Sequence, residues 1–176
     1  MNRTIARPKE KHKILLIYPL QGGSGAFVRH IPLGLLYTSA KLVKQGVSLE
    51  ILDCRLNPRM WREELRNKLD EETLMVGISV MTGTPVIQAS EISGMVKEFD
   101  PEINVVWGGP HATFNPKDIL ESQNTCDYVV NGYGNEVFFK LYQALKSGDR
   151  PTNMPGVVYR DGTVIVATPR EQQFEH

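Results

Sequence analysis

Cysteine is scarce, and neither sign of charge is in excess. Only Cys54 and Cys126 occur in 176 residues, far apart and in no C-x-x-C. That excludes a disulfide framework and makes a reduced, cytoplasmic setting the expectation. Lys plus Arg number 20 and Asp plus Glu number 20, which removes the electrostatic case for nucleic acid or an anionic membrane as partner. The one local bias is the basic start from Arg3 to Lys13, read as a solvated tail over residues 1–12. No apolar run approaches the roughly 20 residues of a membrane span, and no signal-peptide pattern is present. Internal repeats and low-complexity segments are lacking too. What remains is 41% apolar and 23% charged, in a length that suits one domain with a sizeable core.

Strands and helices alternate along the chain. The run KILLIYP (13–19) is a continuous apolar strand, and HIPLGLLYTSAKLVKQG (30–46) follows as a helix. Pro32 lies near that helix's start and Gly46 at its stop. Leu35, Leu36, Ser39, Leu42 and Val43 share its predicted inner face. SLEILD (48–53) is a partly alternating strand, after which Asn57-Pro58 opens a weaker helix carrying Trp61, Leu65 and Leu69. LMVGISV (74–80) is a buried strand. Its helix runs from about Pro85 to Phe99, capped by Thr84, with Ala89, Ile92, Val96 and Phe99 inward. INVVWGG (103–109) is the fourth strand, a short helix begins near Pro116, and DYVVNG (127–132) is the fifth strand. NEVFFKLYQALKSG (135–148), capped by Asn135, closes the set.

This alternation predicts an α/β domain over 13–150, a doubly wound parallel sheet of five strands with helices on both faces. Strands one, three and four are almost uniformly apolar, whereas strand two is mixed. That favours the flavodoxin-like (Rossmann-like) order 2-1-3-4-5, with strands two and five outside. Residues 151–176 differ. GVVYRDGTVIV (156–166) places two apolar runs around Asp161-Gly162, a β-hairpin signature, and Pro169-Arg170 opens a polar linker.

Ligands of such sheets bind beyond the carboxyl ends of the strands. The loop after strand one, PLQGGSGAFVRH (19–30), is long, and its glycines fit either a mobile surface loop or close approach to a ligand. It carries neither a dinucleotide fingerprint nor a P-loop. After strand three, Ser79 and Thr82 offer hydroxyls beside Gly77 and Gly83. After strand four, Gly108 and Gly109, with Gly77, would leave a slot between strand ends that suits a flat heterocycle edge-on. His111 follows Pro110 as a metal ligand, an acid–base group or a plain hydrogen-bonding residue. After strand five, Gly132 and Gly134 flank Tyr133, a possible stacking face. No nucleophile is paired with a base, and no residues have metal-ligand spacing. The chain is equipped to hold something.

The run ILLIYP…PLGLLYTSAKL, then VGISVMT, VVWGGPHATF and DYVVNGYGNE, resembles the cobalamin (B12)-binding domain at the N-terminus of B12-dependent radical SAM enzymes. The similarity spans residue 13 to about 168. It implies a corrin ring over the carboxyl ends of the strands and a dimethylbenzimidazole tail between strands three and four. The tail would meet Ser79, Thr82, Gly108 and Gly109, with Pro110 and His111 at its rim. Met81 and Gly83 of the same loop join the cofactor-binding set. The corrin would lie near Leu20, Gly22, Gly23 and Ser24, and near Gly132, Tyr133 and Gly134.

The resemblance also implies a partner. S-adenosylmethionine and a 4Fe–4S cluster would belong to a radical SAM domain of the same full-length chain, because two cysteines and no C-x-x-x-C-x-x-C cannot hold a cluster here. The parent would be a methyltransferase or a porphyrin-ring cyclase. Family members usually carry Gly-Glu-Gly-Glu where this chain has Gly132-Tyr133-Gly134-Asn135. The D-x-H-x-x-G that supplies a histidine to cobalt is absent from the loop after strand one, so the resemblance implies base-off cobalamin without a histidine lower ligand. A flavodoxin-like FMN or nucleotide carrier is the alternative, although a phosphate cradle should open a helix and the Gly22–Gly25 loop does not. A degenerate interaction module is a third reading.

Overall fold

The computed structural model describes residues 11–22 and 30–169. Five parallel strands form its centre: β1 (Lys13–Tyr18), β2 (Leu49–Asp53), β3 (Thr73–Ser79), β4 (Asn104–Gly108) and β5 (Tyr128–Val130). The helices between them are α1 (Leu33–Lys44), α2 (Trp61–Lys68), α3 (Thr84–Phe99), α4 (Pro110–Phe114) and α5 (Pro116–Ser122), and α6 (Gly134–Lys146) follows β5. The order β2-β1-β3-β4-β5 agrees with the sequence reading. The C-terminal hairpin, β6 (Val157–Asp161) and β7 (Val164–Ala167), pairs antiparallel with β5 and makes one seven-stranded sheet. Strand five is therefore interior, and β7 is the edge.

Two apolar layers sandwich the sheet. On one face α2, α3, α4 and α5 pack Trp61, Leu65, Ile92, Val96, Ala112 and Ile119 over Ile17, Ile78 and Trp107. On the other, α1 and α6 pack Leu35, Leu42, Phe138 and Leu141 over Leu16, Met75 and Val106. The alternation of strand side chains decides which residue meets which layer. In β4, Val105 and Trp107 face α3, whereas Val106, and Gly108 beyond it, face α1 and α6.

Trp107 is completely buried, and its indole N–H needs an acceptor. Ser93 Oγ accepts it at 2.9 Å and itself donates to the Ala89 carbonyl at 2.7 Å. Ser93→Ala would orphan that donor, so urea denaturation should show a loss of about 1–3 kcal/mol with the fold kept.

The structure corrects several local expectations. Helix α3 starts at Thr84 itself with Gly83 at the cap, and α6 starts at Gly134 with Tyr133 at the cap; neither has a side-chain cap bond. Thr84 and Asn135 are inside their helices because the caps fall at Gly83, one residue earlier, and at Tyr133, two residues earlier. Helix α2 begins at Trp61, after the turns that hold Asn57 and Pro58. In α1 the inward face is Leu35, Ser39 and Leu42 alone; Leu36 and Val43, one step round the helix, are exposed. Phe99, the last residue of α3, is 48% exposed where the chain leaves the helix. Asp161 pairs with Val164, so the hairpin loop is Gly162-Thr163, one residue later than the Asp-Gly signature suggested. The stretch after Gly109, read as loop, coils at once into α4.

Candidate functional site

A cleft of about 210 Å³ opens at the carboxyl ends of β3, β4 and β5, on the α1/α6 face. Its floor comes from alternate strand residues: Gly77 and Ser79 of β3, Val106 and Gly108 of β4, and Val130 of β5. Its walls are Leu35, Tyr37 and Thr38 of α1 on one side and Tyr133, Gly134 and Phe138 on the other. Lys41 and Glu136 form an ion pair that ties the two helices together. A Cβ on Gly134 would stand 3.1 Å from Thr38 Oγ1, so this glycine lets α6 approach α1 closely.

The glycines of the floor have different tasks. At Gly77 the space is already taken: a Cβ would lie 2.7 Å from both Leu16 Cδ2 and Phe138 Cζ. Gly77 thus makes room for Leu16 and Phe138 at the base of the cleft, which it still lines. Gly109 has φ +89°, and a Cβ there would sit 3.0 Å from the Val80 nitrogen and 3.1 Å from its carbonyl oxygen. Its bareness is required by the end of β3. Gly108 alone faces open space; the nearest atom to a Cβ is Val130 Cβ at 4.0 Å. The room for a ligand ring is over Gly108.

The cleft brings together Gly77, Ser79, Gly108, Gly109, Pro110, Gly132, Tyr133 and Gly134 of the residues singled out in the sequence. Leu20, Gly22, Met81, Thr82, Gly83 and His111 do not line it. Thr82 Oγ1 and His111 Nδ1 are 3.3 Å apart, and the Asn115 side-chain nitrogen stands 3.4 Å from the same ring atom. The His111 amide donates to the Val80 carbonyl at 3.0 Å, which fixes α4 beyond β3. Gly23 and Ser24 lie outside the described residues.

Thr38, Tyr37 and Phe138 were not picked out from the sequence, because helix residues join the site only through packing. Thr113 was missed as well. Its Oγ1 accepts the Gly132 amide at 3.2 Å and so connects α4 to the loop after β5. Among the described residues no three His, Cys, Asp or Glu come together as a metal site. Burial pushes the thiols of Cys54 and Cys126 up to about 12, which keeps both protonated and unreactive near neutral pH. No helix of the described residues is long and apolar enough to cross a membrane.

A cleft of 210 Å³ is smaller than the roughly 300–1,000 Å³ of sites that enclose drug-sized ligands. It admits one flat ring system, so a larger ligand must leave its bulk outside, on the sheet's carboxyl edge. The resemblance read from the four motifs is borne out. Residues 26–141 match the family model "B12 binding domain", and the chain belongs to that family.

Among its relatives, an uncharacterized methyltransferase of Pyrococcus horikoshii is 30% identical over 142 residues, 79% of this chain and 30% of that protein. The anaerobic magnesium-protoporphyrin IX monomethyl ester cyclase of Synechocystis is 26% identical over 140 residues, 78% of this chain and 28% of the cyclase. The radical S-adenosylmethionine methyltransferase TsrM of Kitasatospora setae, solved with cobalamin and a 4Fe–4S cluster bound, superposes with a TM-score of 0.78. That match covers 94% of this chain and 30% of TsrM at 22% identity, a likeness of fold. The chain spans less than a third of each of these proteins.

Proposed function

We propose that the chain holds cobalamin as the cofactor module of a radical SAM enzyme, of the methyltransferase or porphyrin-ring cyclase kind. The observation that carries this is the cleft over Gly108, sized for a single flat ring and open to the carboxyl edge of a B12-family sheet. The dimethylbenzimidazole tail would enter between Ser79, Gly108 and Val130, against Thr38 and Phe138. The corrin would remain outside, over Leu20 and Gly22 on one side and Gly132, Tyr133 and Gly134 on the other. Tyr133 is 67% exposed, a flat face free to meet a ring.

Bound cobalamin supplies methyl-carrying or electron-transfer chemistry at its cobalt. This chain's own residues bind, orient and shield it. S-adenosylmethionine and the 4Fe–4S cluster would sit in another domain of the parent chain, since the two thiols here are buried and protonated.

Hydroxocobalamin titration tests the reading. A saturating spectral change and co-elution on gel filtration are expected; neither appearing on the order of tens of micromolar would refute it. Flavin colour and fluorescence in the purified protein would favour the FMN carrier instead. Thr82→Ala removes a partner of His111 outside the cleft, so it should change cobalamin affinity less than about threefold, at or below the low end of the roughly 0.5–1.5 kcal/mol of one hydrogen bond.

A further inference from the structure

The cleft over Gly108 is poor in hydrogen-bonding side chains. Among the described residues no amide and no charged side chain lines it. Leu35, Val106, Val130 and Phe138 supply apolar surface, and all four are buried. The hydroxyls are those of Ser79 on the floor, Thr38 on the wall, and Tyr37 and Tyr133, which are 62% and 67% exposed.

Most of the inner polar groups are already engaged. Thr38 Oγ1 donates to the Gly34 carbonyl at 2.9 Å, and the Gly132 amide donates to Thr113 Oγ1 at 3.2 Å. The Gly108 carbonyl accepts the Val80 amide at 2.8 Å, and the Gly109 carbonyl accepts the Thr113 amide at 3.0 Å. That leaves the Ser79 hydroxyl to donate inside the cleft.

Such a lining suits a base of low polarity. Cobamides share cobalamin's corrin ring and differ in the base on the tail. Dimethylbenzimidazole, once off cobalt, presents one ring nitrogen on an otherwise apolar body, and a single hydroxyl can satisfy it. Adenine, displaced likewise, presents three ring nitrogens and an exocyclic amine. Both are flat bicyclic rings of similar size, so a cleft of about 210 Å³ does not sort them by volume. It sorts them by desolvation, because a polar edge pressed against Val106, Val130 or Phe138 loses water and gains no partner. A site that reads adenine places an amide against its edge, and this lining has none.

We propose that the cleft selects among cobamides by the polarity of the tail base, taking benzimidazole and phenolic bases and disfavouring purines. Val106, Val130 and Phe138 set the preference. This rests on the cobalamin reading above.

The affinities of the 176-residue chain for cobinamide, cobalamin, the adenine cobamide and a p-cresolyl cobamide decide it. Adenine is the less basic ligand and leaves cobalt more readily than dimethylbenzimidazole. Displacement alone would therefore rank the adenine cobamide above cobalamin. The cleft predicts the reverse, with cobalamin tighter by about ten- to a hundredfold. The p-cresolyl base has no nitrogen for cobalt and an apolar ring, so that cobamide should bind at least as tightly as cobalamin. In Gly108→Val, which fills the cleft, the three cobamides should converge on the affinity of cobinamide. An adenine cobamide bound as tightly as cobalamin, or a preference that survives in Gly108→Val, would overturn the proposal and leave the cobalamin reading standing. Binding of none of the four corrinoids would bring both down.

Discussion

Gly108→Val should abolish the advantage of cobalamin over cobinamide while leaving a folded protein. The residue ends β4 with its missing side chain aimed at open space in the cleft, 4.0 Å from the nearest atom. A branched side chain therefore fits the strand, where valine is favoured, and fills the space the tail would use. Cobinamide, which carries the corrin without the nucleotide tail, should bind the variant and the parent alike. Cobalamin should lose at least about tenfold, or 1.4 kcal/mol. Gly109→Val is the contrasting variant. Its positive φ and its contact with the Val80 backbone predict a loss of stability, with both corrinoids weakened together. Equal cobalamin affinity in Gly108→Val and parent would move the tail elsewhere.

The second large effect concerns cobalt. The described histidines are placed away from a ligand in the cleft. The His111 ring faces Thr82 and Asn115 outside the cleft, the His30 ring lies edge-on to Tyr18 at 6.4 Å, and His12 stands beside Glu72 at the amino end of the sheet. No aspartate in 19–30 could orient an imidazole toward the metal. The Co(II) form bound to this chain should therefore show an EPR spectrum without nitrogen superhyperfine splitting. Splitting lost in His30→Ala or His111→Ala would reveal a protein ligand. Splitting indifferent to both would mean that the cofactor's own base stays on cobalt and the cleft is not its destination.

The strand order was legible because burial in a parallel sheet leaves a compositional trace: β1, β3 and β4 are apolar on both faces, and β2 is mixed. The union of the hairpin with β5 was not, since antiparallel pairing between distant segments leaves no local periodicity. The glycine pairs show the same divide. Gly108-Gly109 marked the right strand end and both line the cleft, but only at Gly108 would an added side chain enter open space. Gly77 lines the cleft as the slot reading expected, but what its bareness accommodates is Phe138, a contact across more than sixty residues of sequence. The walls contributed by Thr38 and Phe138 depend on how closely α6 meets α1, which Gly134 permits and no motif announces. Cap residues misled in a smaller way. Thr84 and Asn135 have capping chemistry, yet the caps fall at Gly83 and Tyr133, so the chain enters α3 one residue sooner and α6 two residues sooner.

In the proposed complex cobalamin docks with its tail displaced from cobalt and lodged over Gly108. The visible spectrum of methylcobalamin titrated with this chain at neutral pH tests it most directly. A change from the base-on to the base-off spectrum, saturating at one equivalent, is the expected result. Binding that leaves the base-on spectrum intact would contradict it.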